Sequence, residues 1–118
     1  TVLEQNQPIW NLYSCISLTL NISHTRSTDA TGTSASFNYP YAITTDGTNL
    51  YVADTGNNKI RKVVISSGVV TTLAGSGSIG STDATGTSAS FYNPNGITTD
   101  GTKLYINDLF NHKIRVME

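Results

Sequence analysis

The chain has 118 residues, enough for one small domain, and its apolar fraction of 37% is low for a core that closes without help. Only 13% of residues are charged and the formal net charge is −1, so there is no broad basic face and nucleic acid is not expected as a partner. A single cysteine, Cys15, excludes an intrachain disulfide, and no apolar run approaches the ~18 residues that a membrane-spanning helix needs. Thr1 is not followed by a charged and then an apolar stretch, as expected where a signal peptide has been removed or was never part of the chain. Ser and Thr supply about a quarter of the residues, a balance associated with secreted and surface proteins.

In chain order, residues 1–26 form a first segment, within which 15–22 alternates cleanly. Ile16, Leu18, Leu20 and Ile22 fall on one face and Ser17, Thr19 and Asn21 on the other, the period-two pattern of a half-buried strand. From Ser27 onward a 54-residue period governs the sequence. Residues 27–64 return at 81–118 with 25 of 38 positions identical, including the unbroken run STDATGTSASF at 27–37 and 81–91. A fixed period of this length marks units that bury their faces by stacking on copies of themselves.

Within the first repeat, residues 27–80, strands are expected at 42–45, 50–53, 59–65 and 69–74. They are separated by the turn clusters Asp46-Gly47, Asp54 to Asn58 and Ser66-Ser67-Gly68. Four strands and three short turns make one antiparallel meander. Residues 75–95 then form a long polar connection anchored by Phe91 and Pro94. The second repeat, 81–118, shows strands at 96–99, 103–107 and 113–117 and no fourth. The alternating segment 15–22 is the candidate to supply it, in the same chain or a neighbouring one. Helical character is limited to a single turn near Ser34-Ala35-Ser36 and its repeat.

Written as P-x-x-I-x-x-D-G-x-x-L-Y-V-A-D-x-x-N-x-K-I-R, the unit resembles the NHL repeat, the blade of a class of β-propellers. Pro40, Ile43, Asp46, Gly47, Leu50, Tyr51, Val52, Ala53, Asp54, Asn57, Lys59, Ile60 and Arg61 carry the resemblance in the first copy. In the second it rests on Pro94, Gly96, Ile97, Asp100, Gly101, Leu104, Tyr105, Asp108, Asn111, His112, Lys113, Ile114 and Arg115. The resemblance implies an all-β fold of antiparallel four-stranded blades, about two of them, the second without its own outer strand. Closed propellers need about 4 to 8 blades. Two blades therefore require either the remaining blades of a longer protein or copies of this chain, in a homo-oligomer or a fibre built by strand exchange.

The motif residues have structural roles in this reading. Asp46-Gly47 and Asp100-Gly101 make the first hairpin of each unit, Asp54 and Asp108 cap the following turn through backbone N–H groups, and Tyr51 and Tyr105 pack. The cluster Lys59, Arg61 and Lys62, echoed by Lys113 and Arg115, reads as a solvated strand face, and Asp29 and Asp83 as turn formers. No catalytic or metal set emerges. His24 and His112 are the only histidines, His112 replaces Asn58 of the first copy, and the oxygen ligands Asn95, Asn107 and Asp108 correspond to Tyr41, Ala53 and Asp54 in the first copy, so no matched calcium set exists. Gly75 to Ser78 lacks the lysine of a phosphate loop, and Asn21-Ile22-Ser23 fits a glycosylation sequon that chance also explains. No cofactor is expected.

The binding-surface candidates are Tyr39 and Tyr41 with their counterparts Asn93 and Asn95, at the entry to each first strand. The assembly candidates are Ile16, Leu18, Leu20 and Ile22, with Leu109 and Phe110, which replace Thr55-Gly56 by apolar residues and suggest a covered turn. The expected function is a non-enzymatic extracellular or surface scaffold that binds a protein or glycan ligand. The alternatives are a fragment of a propeller enzyme of lyase or lactonase type and a structural fibre subunit. An RNA-binding module would need a basic face that this chain does not offer.

Overall fold

The computed structural model describes residues 27–118. The proposed edge strand at 15–22, together with Cys15, His24 and the Asn21 sequon, lies outside the described residues. Among the described residues seven strands form two antiparallel sheets: β1 (Pro40–Thr45), β2 (Asn49–Asp54), β3 (Lys59–Val64) and β4 (Val70–Ala74), then β5 (Pro94–Thr99), β6 (Leu104–Asp108) and β7 (Lys113–Met117). The sheet orders are β1-β2-β3-β4 and β5-β6-β7, so each repeat is a meander with every strand beside its sequence neighbour. The fold is all-β, with one four-stranded and one three-stranded blade.

Both first strands start two residues earlier than expected, at Pro40 and Pro94. Each proline faces a buried aspartate, Asp54 or Asp108, and a register shift separates it from the next pair. Proline donates no ladder bond and is tolerated at the first position of a strand, ahead of such an irregularity. The helical turn also sits earlier than expected, as 3-10 turns at Gly32–Ser34 and Gly86–Ser88, each opening on a glycine with φ 58° or 57°.

The Asp-Gly hairpins form as the sequence implies. Asp46 Oδ1 accepts from the backbone N–H groups of Thr48 (2.9 Å) and Asn49 (2.8 Å), and Gly47 takes φ 92°, a conformation closed to most side chains. Asp100 and Gly101 repeat this at 2.9 and 2.8 Å with φ 95°. The tyrosine of the neighbouring strand completes the turn, Tyr51 donating to Asp46 Oδ2 and Tyr105 to Asp100 Oδ2, each at 2.8 Å.

The long connection between blades is pinned along its length. Gly75 N–H donates to Gly86 O (3.1 Å), Ser76 N–H to Ala89 O (2.9 Å) and Gly80 N–H to Phe91 O (3.2 Å). Phe91 and Pro94 are its buried anchors. The main core lies between the blades, where Ala53, Ile60 and Ala74 of the first meet Ala89, Phe91, Leu104 and Ile106 of the second. A smaller cluster of Val52, Val63 and Val70 is covered by Ala35, Phe37 and Leu50.

One repeat position is therefore core in one blade and surface in the other. Ile60 is 0% exposed because the second blade covers it, whereas Ile114, its counterpart 54 residues on, has no described blade beside it and is 67% exposed. Ile60→Ala is expected to lower stability by about 2–5 kcal/mol, the range for a buried aliphatic truncation. Ile114→Ala should change it by less than ~0.5 kcal/mol when measured on the dilute, unassembled chain, as at ordinary surface positions. Urea unfolding of both variants checks the contrast, and equal losses would contradict it.

Candidate functional site

A buried arginine organises each blade. Arg61 leaves the middle of β3 and is 0% exposed, which corrects the reading of Lys59, Arg61 and Lys62 as a solvated face. Its Nη1 donates to Asp54 Oδ2 (2.8 Å) and to Ser36 O (2.8 Å), and its Nη2 donates to Asp29 Oδ1 (2.7 Å) and Thr28 O (3.0 Å). The guanidinium also lies over the Phe37 ring, 4.9 Å from its centroid. Arg115 rebuilds the cluster 54 residues later, with Asp108 (2.7 Å), Ser90 O (2.8 Å), Asp83 (2.7 Å), Thr82 O (2.8 Å) and Phe91 (4.8 Å). A charge withdrawn from water costs free energy unless it is paired and hydrogen-bonded, and here one guanidinium ties strand, turn and long loop together.

This overturns two further expectations. Asp54 and Asp108 do not cap the turns that follow them. Each accepts a backbone N–H from the preceding loop, Asn38 for Asp54 and Tyr92 for Asp108 (both 2.8 Å), and serves as the buried counter-ion of the arginine. Asp29 and Asp83 are ion-pair partners rather than turn formers. Burial pushes the Asp29 carboxyl up, but the hydrogen bond from Arg61, with that from Thr72, outweighs it and leaves the group below its usual range. The clue in the sequence was the spacing. In a charge-poor chain, Asp29, Asp54 and Arg61 return as Asp83, Asp108 and Arg115 with no residue inserted.

The junction between blades is polar where the strands begin. Thr55 Oγ1 donates to Pro94 O, and Asn58 accepts the Asn93 N–H on Oδ1 (2.8 Å). Asn93 and Asn95 are half-buried there, Asn95 Oδ1 accepting from Asn107 Nδ2 (2.8 Å). Tyr39 and Tyr41, on the open side of the first blade, are 77% and 73% exposed. The structure thus separates the four binding-surface candidates. Two belong to a formed junction and two to an open face.

At the far end, Leu109 and Phe110 open the turn between β6 and β7 and remain partly exposed. Phe110 meets Tyr92 edge-on, with centroids 5.0 Å apart. Its counterpart Gly56 has no such freedom, since a Cβ there would lie 2.8 Å from Asn38. The change from Gly56 to Phe110 is thus accompanied by the change from Asn38 to Tyr92. His112, like Asn58, holds left-handed backbone at φ 55°, and its side chain is exposed.

Beside β7 runs an open groove of about 530 Å³. Its lining comes from the entry loop of the second blade, Asp83, Ala84, Gly86, Ala89 and Phe91, from residues 113–117 of β7 and from Ala74 of β4. In the first blade the corresponding space holds β4. That strand pairs with β3, its Val70 N–H donates to Ala30 O (2.8 Å), and Thr72 Oγ1 donates to Asp29 Oδ1 (3.0 Å). The groove is therefore shaped for one extended strand. Among the described residues, no group of three His, Cys, Asp or Glu lies close enough to hold a metal ion, and no helix is long and apolar enough to cross a membrane.

The chain shares 38% identity over 95 residues with human NHL repeat-containing protein 2, and 38% over 98 residues with the bovine protein of the same name. The two repeats belong to the NHL-repeat family. The match covers 76% of this chain but only 13% of either relative, and no family model matches the sequence. Among solved structures, the NHL blades superpose on an auxiliary nutrient binding protein from Bacteroides thetaiotaomicron VPI-5482 with 25% identity and a TM-score of 0.64, over 78% of this chain and 25% of that one. A protein of the same name from Bacteroides ovatus ATCC 8483 gives 25% identity and 0.67, over 86% and 28%. A protein from B. thetaiotaomicron described as a candidate phosphatase also gives 25% and 0.67, over 79% and 24%.

Two expectations follow for the NHL blades. Asp54→Ala, which strands a buried guanidinium, should cost about 3–5 kcal/mol, whereas Asp29→Ala, at a half-open position, should cost at most ~1 kcal/mol. Urea denaturation distinguishes them. The N–H groups of Asn49 and Thr48, with the Tyr51 hydroxyl, hold Asp46 at about 2 against an ordinary 3.8, and Lys103, Thr102 and Tyr105 do the same for Asp100. Both pKa values are depressed by folding, so their contribution is complete above the ordinary value and is lost as pH falls from about 4 to about 2. Asp46→Asn combined with Asp100→Asn should flatten the fall in melting temperature across that window. An unchanged slope would contradict the assignment.

Proposed function

We propose that this chain is a non-enzymatic NHL-type propeller unit that serves as an extracellular or surface binding scaffold and completes its fold by association. The observation that carries the reading is the groove along β7. Its lining repeats the residues around β4 in the first blade, and among the described residues β7 is an edge strand with backbone groups open to pairing. Strand addition satisfies that edge, and the segment 15–22 has the alternating pattern to provide it, within one chain or between copies. The likeness to nutrient binding proteins and the Ser/Thr-rich, charge-poor composition support a binding role outside the cell, with a protein or glycan as ligand.

Removal of residues 1–22 is expected to cause aggregation or loss of assembly, read by light scattering, and unchanged solubility and mass would overturn the strand assignment. Leu18→Asp tests the same contact with a single charge and should lower stability by about 2 kcal/mol or more. The likeness to a candidate phosphatase favours a second reading, a fragment of a propeller enzyme whose active groups lie in other blades. Stoichiometric metal in the purified assembly, or turnover of a phosphate ester, would support that reading against the scaffold.

A further inference from the structure

The geometry points to a head-to-tail junction between two copies of this chain, in which the open face of the second blade docks on the open face of the first blade of its neighbour. This rests on the assembly reading above and names its contact surfaces. The junction inside the chain is the template. There the side of the first blade that carries Ala53, Thr55, Asn58 and Ile60 meets the side of the second that carries Phe91, Asn93, Pro94 and Ile106. Moved along by one repeat, the first set becomes Asn107, Leu109, His112 and Ile114, and the second becomes Phe37, Tyr39, Pro40 and Val52.

The substitutions on the two open faces match each other. Thr55 and Asn58 hold the internal junction through hydrogen bonds to Pro94 O and the Asn93 N–H. At the exit face Leu109 replaces the hydroxyl donor, Phe110 stands beside it, and Ile114 and Val116 add apolar surface. At the entry face Tyr39 and Tyr41 stand where the internal junction has Asn93 and Asn95, with Ile43 exposed nearby. The internal clasp reaches the second blade through backbone groups, the Asn93 N–H and Pro94 O, which Tyr39 and Pro40 also present, and the template brings Leu109 and His112 to them. The exchange of the Thr55 hydroxyl for Leu109 is met on the other face by the exchange of Asn93 for the exposed Tyr39. Together they fit a second copy of the chain, and such a contact is heterologous, closing into a ring or extending as a filament.

The test mixes two full-length variants, each with one face disabled. Ile114→Asp blocks the exit face and Tyr41→Asp the entry face, both at exposed positions; Leu109→Asp and Ile43→Asp are the second pair should either of the first fail to fold by circular dichroism. Alone, each variant is expected to sediment as a monomer near 12.6 kDa, and an equimolar mixture should form a one-to-one dimer through the intact faces. A mixture that stays monomeric while the wild type assembles overturns the junction. So does assembly that survives either substitution, although it leaves the scaffold reading standing. A wild type that is itself monomeric at high concentration rejects both.

Discussion

The ion pair between Arg61 and Asp54, 2.8 Å long and fully withdrawn from solvent, is the constraint on which the blade depends. A β-meander by itself fixes strands to strands and leaves its long entry loop free. The arginine closes that gap. From the centre of β3 it reaches the end of β2 through Asp54 and the loop through Asp29, Thr28 O and Ser36 O, while Phe37 covers its face. Replacing such a group by an apolar one would leave loop carbonyls and a carboxylate without donors, so the cluster acts as a unit. The same four loop residues, Thr82, Asp83, Ser90 and Phe91, meet Arg115 in the second copy, so the ends of the STDATGTSASF run are tied to the arginine in both.

With each blade held internally in this way, its faces are free to serve as junctions. The internal junction buries Ile60, Ala53, Phe91 and Ile106 and adds a few hydrogen bonds at the strand entries. Hydrophobic burial of this kind stabilises in proportion to the area covered, which is why two blades leave so much undone. Ile43, Ile114, Val116 and the two tyrosines remain in solvent on outer faces, and among the described residues β7 is an edge strand beside an open groove. Apolar surface and unpaired backbone occurring together at the ends of a repeat array are the mark of an unfinished stack.

Much of this architecture was legible in the sequence. The Asp46-Gly47 turn, the β-branched run Leu50 to Ala53 and the 54-residue register located all seven strands within two residues at most boundaries, because local turn chemistry and period-two patterning act over short range. The anchors Phe91 and Pro94 were visible as apolar residues in a polar connection. What pattern reading missed was Arg61 and its counter-ions. A charged residue in a strand is assigned to solvent by default, and its burial is made tolerable by the buried carboxylate of Asp54 together with Asp29, 32 positions earlier, whose approach only the folded loop provides. The tyrosines posed a different difficulty. Tyr39 and Asn93 occupy one repeat position, yet one is open and the other clasped, and this depends on which blades are present rather than on local sequence.

The most direct test of the account is the solution mass of the full-length chain, measured by light scattering over a range of concentrations with negative-stain images of the same sample. Species at multiples of 12.6 kDa are expected, either a discrete ring or extended polymers, because the face with Leu109 and Ile114 and the face with Tyr39 and Tyr41 both stay open among the described residues of one chain. A soluble, cooperatively folding monomer that persists at the highest concentration would contradict it.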